Sequence, residues 1–307
     1  MNMLLGRICT AAALLICILS VRSCRSDEEP EAQPKKIELQ EKQVTESSGL
    51  AISTRDPNVI WTHNDSGDTA RLFAFDRTTG KLKTTLEISN AKAVDWEDLC
   101  SFERDGESWL AIGDVGDNSL RRQSVSIYVV KEPKISKTNN TPLSCRYDSR
   151  LEFSYEGGPI NCEALAYDPQ KDAFLLISKE IFRARYFELS REVEQANANQ
   201  STADLPQAKH RQTLIQPMVT AADISRDGKR LVVANYGSGF LLNRMASQLW
   251  DAKRQANLPL PKRRQGESVC FARAAEAILV GTEFLPSYVW EVELPDSSDL
   301  RNETDTQ

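Results

Sequence analysis

Five successive sets of short apolar strands predict an all-β chain folded as a single β-propeller. Two observations carry this expectation. The parts recur in one order at a period of roughly 40–60 residues, the spacing of propeller or solenoid repeats. Each set also holds the β-branched or aromatic runs, separated by turn residues, that a four-stranded blade needs. The repeat is plainest over residues 46–132. There, two units each have a strand opening with an acid (Glu46, then Glu97) and a second strand ending in Asp-x-Gly-Asp. A third strand follows each, at 71–76 and 126–130.

Inner-strand candidates are 46–53, 97–102, 163–168, 220–225 and 267–272. Second strands follow at 58–65, 109–114, 173–180, 230–236 and 277–283. Third strands are read at 71–76, 126–131, 185–190, 239–244 and 288–294. Fourth strands show in three units, at 81–89, 150–156 and 211–217. The last unit stops at Pro295 after three strands, while 36–44 (KIELQEKQV) alternates and has no blade of its own. The simplest closure pairs that N-terminal strand into the last blade, which removes two exposed sheet edges. Five blades result; six is the alternative if the second or third unit hides a degenerate one. Two helical inserts are expected, a polar run within 184–199 and an amphipathic stretch at 243–258. In the latter, Met245, Leu249, Ala252 and Ala256 share one stripe.

Residues 1–23 read as an export signal, since the apolar run 8–21 is shorter than the about 20 residues a bilayer crossing needs. Lipidation at Cys24 is disfavoured by Arg22, which stands where a small residue is wanted. The protein is thus expected to be exported, whether periplasmic, extracellular or lipid-anchored at Cys24. Residues 24–35 read as a solvated tether, 36–295 as the propeller and 296–307 as a polar tail. Removing 1–23 takes Arg7 and Arg22 from the 38 basic residues, leaving 36 against 44 acidic, a net charge of −8. Nucleic acid is therefore not an expected partner, and a membrane is expected only through the N-terminus if Cys24 is lipidated. A monomer is expected.

Four cysteines lie in the body, Cys100, Cys145, Cys162 and Cys270, with no Cys-x-x-Cys and only two histidines, so a zinc site has no support. Cys100 and Cys270 follow a strand-opening Glu by three residues, where Gly49 and Ala166 stand in other units, and read as packing residues. Cys145 and Cys162 flank an outer strand; whether they pair in an oxidising compartment stays open.

In a propeller the inner strands line the axis, so acids that open them gather at one mouth. The ring expected is Glu46, Glu97, Glu163 and Glu267, with turn acids Asp65, Asp114, Glu180 and Glu283 at recurrent spacing. Two such charges about 4 Å apart repel by about 4 kcal/mol at an effective dielectric near 20. A hard divalent cation relieves this, and calcium accepts about six to eight oxygens. The metal-ligand set is therefore Glu46, Glu97, Glu163, Glu267, Asp65 and Asp114, with Ca2+ as the cation. The competing reading is architectural: such a Glu can accept backbone N–H groups of the next blade, and Asp-x-Gly-Asp can be a turn device. His63, with Asp65 and Asp114, is the candidate general base; its other reading is a packing or capping side chain. Asn64, Asp68, Asp117, Asn118, Arg121, Lys179, Asn235 and Glu283 are the candidate substrate-binding residues around the rim. Arg71, Arg122, Arg183 and Arg185 either hold an anionic substrate with them or neutralise neighbouring acids. No Gly-x-Ser-x-Gly, Walker or Gly-x-Gly-x-x-Gly motif is present.

The run DISRDGKRLVVANYG (223–237) resembles the "SPDGKRLYVAN" blade signature of bacterial secreted propellers. ESSGLA, NDSGD, LFAFD and DWEDL, with NCEALAYD and QGESVCFA later, resemble exported propellers of the SdiA-regulated and phytase-esterase-like groups across most of 46–294. More distantly the chain is similar to gluconolactonase-like and paraoxonase propellers, whose metal site uses a Glu that opens an inner strand, a place Glu46 would match. Their other ligands do not carry over, since their Asn-rich turns are Asp-rich here and the paraoxonase histidine pair is absent. The resemblance implies a metal-dependent hydrolase of esters, lactones or phosphoesters, acting on a small anionic or ester substrate. The alternative is a non-catalytic propeller that binds a protein or glycan partner.

Overall fold

Near-continuous apolar runs such as AFLLIS and RLVVAN dictate strands whose two faces are both buried, and the computed structural model of the protein shows how they stack. It describes residues 34–135, 141–191, 205–272 and 274–295. The expected export signal, Cys24, most of the tether, the polar run up to 199 and the tail lie outside the described residues.

In chain order, β1 (Lys35–Glu38) precedes β2 (Ser47–Ile52), β3 (Val59–Asn64), β4 (Arg71–Asp76) and β5 (Leu82–Ile88). Then come β6 (Trp96–Arg104), β7 (Glu107–Asp114), β8 (Val125–Lys131), the short β9 (Leu143–Cys145) and β10 (Ser149–Tyr155). The third set is β11 (Cys162–Asp168), β12 (Ala173–Ser178), β13 (Ala184–Ser190) and β14 (Gln207–Leu214). The fourth is β15 (Val219–Ile224), β16 (Arg230–Asn235), β17 (Ser238–Asn243) and β18 (Ala256–Pro259). The last is β19 (Val269–Phe271), β20 (Ala277–Gly281) and β21 (Tyr288–Glu293). Each set is an antiparallel meander, save that β9 pairs in parallel with β5 of the first set, and β1 pairs with β21, Ile37 opposite Val289, to give the last set its outer strand. The N-terminal closure is as the alternation at 36–44 suggests. We call each set a blade. Parallel pairs at Ser154↔Gln207 and Leu86↔Leu143 add contacts between outer strands of neighbouring blades.

The inner strands touch in the order β2, β6, β11, β15, β19 and back to β2, so the sheets close into a circle. Between each neighbouring pair of blades lies its own apolar core. In β4, Leu72 and Ala74 face Leu99, Leu110 and Tyr128 on one side. Phe73 and Phe75 face Leu279 and Val289 on the other. A side chain of this size buried from water stabilises the fold by about 1.5–3 kcal/mol, and both faces of each sheet contribute. The chain is a β-propeller.

Two expectations are corrected, and one open pairing is resolved. The stretch 243–258 is not an amphipathic helix. It holds the Arg244↔Trp250 bridge, a single 3-10 turn at Ala252–Arg254 capped by Asp251, and then β18, the outer strand of the fourth blade. Tertiary demand wins here, because β17 would otherwise leave an open edge. Cys145 and Cys162 are both free thiols: Cys162 is buried in the core between the second and third blades, and Cys145 packs on the core between the first and second. The equivalence of Glu46 with the other leading glutamates also fails, for a reason of register taken up below.

Candidate functional site

Every inner strand begins with an irregularity. The register steps by one residue between Trp96 and Asp98, between Cys162 and Ala164, and between Val219 and Ala221. The extra residue is therefore Glu97, Glu163 and Thr220. A β-bulge bends its strand and re-aims its side chain. In the last blade Ser268 O receives Gly281 N while Gln265 O receives Glu283 N, which puts the extra residue within Gly266 and Glu267. In the first blade it falls within Ser48 and Gly49. Glu46 instead bonds through its carbonyl to Asp65 N at 3.0 Å, as Asn161 does to Lys179 N and Gln265 to Glu283 N. Glu46 thus stands with Asn161 and Gln265, two residues before the ring position. That position belongs to Ser48, whose hydroxyl donates to Glu97 O at 2.6 Å.

The same register sorts the second strands. Asp65, Lys179 and Glu283 share one position at the mouth. Asp114 stands one residue back, with Asn64, Ser178 and Asn235. Asp114 is not one of the clustered acids. Its carboxylate accepts Arg122 at 2.9 Å and the Asp95 N–H at 3.2 Å.

Two groups of carboxylates converge, each with ligand oxygens within 4.8 Å of one another: Asp65, Asp95 and Glu97, and Asp65, Glu267 and Glu283. Asp65 belongs to both. Burial, followed by the charges of Asp95, Glu267 and Glu163, raises its pKa to about 7. Glu97 is raised well above the ordinary carboxylate range by burial, then by Glu163, Asp65 and Asp95. Burial and the neighbouring Glu267 push Glu283 up to about 9.

A local device repeats around this ring. Asn161 Nδ2 donates to Glu163 Oε1 at 2.7 Å, and Gln265 Nε2 donates to Glu267 Oε1 at 3.0 Å. The motif is an amide two residues before the ring glutamate. In the second blade that place holds Asp95, whose ionised carboxylate has no proton to donate. Glu97 Oε1 is buried without a hydrogen-bond partner. Gly116 makes room, since a methyl group there would overlap Glu97 Oε1 and the Asp95 carboxylate. Burying an unpaired carboxylate oxygen is costly, so this spot fits a cation.

The remaining predicted residues do other work. His63 is fully buried, its Nδ1 donating to Asn64 O at 2.8 Å and its ring edge-on to Trp96 at 5.7 Å. Burial drives its pKa down to about 4, so it is a neutral packing group rather than an open-turn base. Gly49 is required here because any Cβ would strike the imidazole. Asn64 accepts Glu46 N and donates to Gln43 O and Asp68, and Asp68 is paired with Arg71. Asp117 accepts the Arg121 and Arg122 N–H groups, Asn118 accepts Asn161 Nδ2, and Asn235 ties its own turn to Gly237 and Ser238. Arg183 and Arg185 both pair with Glu180. Of the predicted rim residues, Lys179 and Glu283 reach the acid cluster; Arg121 is exposed outside it.

Sequence reasoning passed over Asp95, Asp98 and Asp223. Asp98 is fully buried and accepts N–H groups from Leu99 at 2.8 Å, Leu165 at 2.9 Å and Ala222 at 3.4 Å. Asp223 accepts Ile224 and Phe271, both at 2.8 Å. These two acids staple inner strands to one another. The signal for Asp95 was in the text: DWE, NCE and QGE repeat as x-spaced pairs, and only the first begins with an acid.

These features define a β-propeller with an acidic axial mouth. No known protein family matches the sequence, and no curated protein matches it. Among solved structures, the chain is similar to the Dos1 propeller at 10% identity, covering 80% of this chain and 68% of that one, with a TM-score of 0.38. It is also similar to a chain of the mitotic checkpoint complex at 12% identity, covering 81% and 62%, with a TM-score of 0.38.

Proposed function

We propose that this propeller binds a divalent cation of calcium type at its axial mouth, held by Asp65, Asp95 and Glu97. The observation that carries the reading is the broken repeat: an amide serves the ring glutamate in two blades, and Asp95 replaces it beside the partnerless Glu97 oxygen. Glu267 and Glu283 offer a second group of oxygens through the shared Asp65. Glu46 remains a neighbouring charge, and Glu163 is taken by Lys179.

A bound cation would supply polarisation of a carbonyl or phosphoryl oxygen. Asp65, which belongs to both groups of acids, would help fix the cation's place in the mouth. With the resemblance to phytase-esterase-like propellers, this supports hydrolysis of esters, lactones or phosphoesters by an exported protein. A second reading, a non-catalytic propeller binding a protein or glycan partner, is favoured by the sealing of His63 and the engagement of Asp114 with Arg122.

The test is Asp95→Asn, which rebuilds the amide–carboxylate pair of the other blades. Calcium is expected to raise the melting temperature of the wild type and EDTA to lower it. The variant is expected to be at least as stable without calcium and to lose the response. A wild type indifferent to both reagents sinks the cation reading. Turnover on a panel of lactone, aryl ester and phytate that vanishes in Asp65→Asn separates the hydrolase from the binding module.

A further inference from the structure

The exposed groups on the mouth face sort by depth in a way the cation reading does not use. The large apolar side chains that stand out in solvent among the described residues are Val94, Leu120, Ile181, Phe182, Ile215 and the Phe284–Leu285 pair. All lie in second-to-third-strand turns or fourth-to-first-strand connections, which is to say at the mouth end. Phe182 is 80% exposed and Ile215 87%. Among the described mouth-end turns and connections the exposed charges are Lys42, Lys92, Arg121, Arg183 (paired with Glu180), Lys262 and Arg264, against one exposed acid, Glu156. The acids of the mouth itself are buried or half-buried. Apolar and basic groups are neighbours, Leu120 before Arg121, Phe182 before Arg183, and Arg264 over the Phe284 ring at 4.8 Å.

We infer that this face docks on an anionic lipid surface, the apolar tips entering the acyl boundary and the basic side chains meeting lipid phosphates. The tips sit on separate turns around a rim, so they match a flat, deformable layer better than a groove-bound peptide. Apolar residues flanked by Lys and Arg are the chemistry that holds proteins in a bilayer interface. The acidic total of the chain argued against such a surface, but total charge does not register that the acids are set deeper than the bases. The inference does not depend on the cation site, and its test is run in EDTA.

The full-length protein carrying Phe182→Trp is mixed with vesicles of phosphatidylcholine and phosphatidylglycerol whose acyl chains are brominated. The added indole is expected to shift to the blue and be quenched, and quenching to fall on pure phosphatidylcholine. In otherwise wild-type protein, Phe182→Ser with Ile215→Ser is expected to weaken partitioning about tenfold, and Arg121→Glu with Arg264→Glu to abolish the preference for the anionic lipid. These side chains are solvent-exposed, so circular dichroism and melting temperature should stay unchanged. An indole at 182 that remains unquenched overturns the inference, even if the protein sediments with vesicles, because the apolar run 8–21 can bind lipid by itself. Absence of any vesicle binding overturns it as well and leaves an acidic protein partner as the occupant to seek.

Discussion

Lys179 Nζ lies 3.0 Å from Glu163 Oε2, at the position where the first and last blades place Asp65 and Glu283. The ring thus carries its own tethered cation on one side. Burial opposes the charge of Lys179, but Glu163 and the Tyr236 hydroxyl outweigh it and its pKa is raised. The side chains are 14% and 4% exposed, so the pair is largely out of water.

Lys179→Met should therefore leave Glu163 buried without its partner. Losing one member of a buried pair costs about 3–5 kcal/mol, and the value here should fall at the lower end because Lys179 retains some solvent. Urea denaturation in EDTA measures it. Added calcium should recover part of the loss, by occupying the vacated charge; an unchanged midpoint would show that the pair contributes nothing.

Stability should depend on pH in a direction set by the raised acids. Asp65 and Glu283 bind protons more tightly folded than unfolded, so their contribution is full below their unfolded pKa values. It is lost as pH rises, through about 7 for Asp65 and about 9 for Glu283. Without divalent ions the protein should thus melt lower at pH 9 than at pH 5. Calcium should flatten that difference, because the ion replaces the protons. Melting curves across this range check it, and a profile that rises with pH in EDTA would contradict the burial of these groups.

Asp98 is predicted to be a structural staple. Asp98→Ala removes the acceptor of three buried N–H groups from three inner strands and should cost about 2–4 kcal/mol. Asp98→Asn keeps an acceptor oxygen and should cost less. Guanidinium unfolding of the two variants, compared with calcium affinity by titration calorimetry, should show a stability loss with affinity preserved.

Closure by β1 gives a fourth prediction. Ile37 is buried opposite Val289, in a strand that covers the edge of β21. Ile37→Asp should cost about 2–4 kcal/mol, by losing an apolar burial and placing a charge in its stead. It should also promote association of the freed edge. Light scattering during thermal melting reads both effects.

The strand sets and their order were legible because short apolar runs between turn residues record strands buried on both faces, and the role of 36–44 because its alternation records a single buried face. The acid ring was half legible. Glu97, Glu163 and Glu267 do share one position, but Glu46 and Asp114 were placed by spacing alone, and spacing cannot show which residue a bulge inserts. The helix expected at 243–258 shows the same limit, since a stripe of four apolar residues also suits a turn leading into an edge strand.

The amino-acid order by itself determined that this chain makes short strands with two buried faces, and that acids recur where those strands begin. Only the closed circle decided which acids meet, because contacts across the axis join residues far apart in sequence. It set Asp95 in place of an amide beside Glu97, sealed His63 against Trp96 and drew Asp98 across three strands. The reason is that register and burial, not linear spacing, fix which charges share a low-dielectric space.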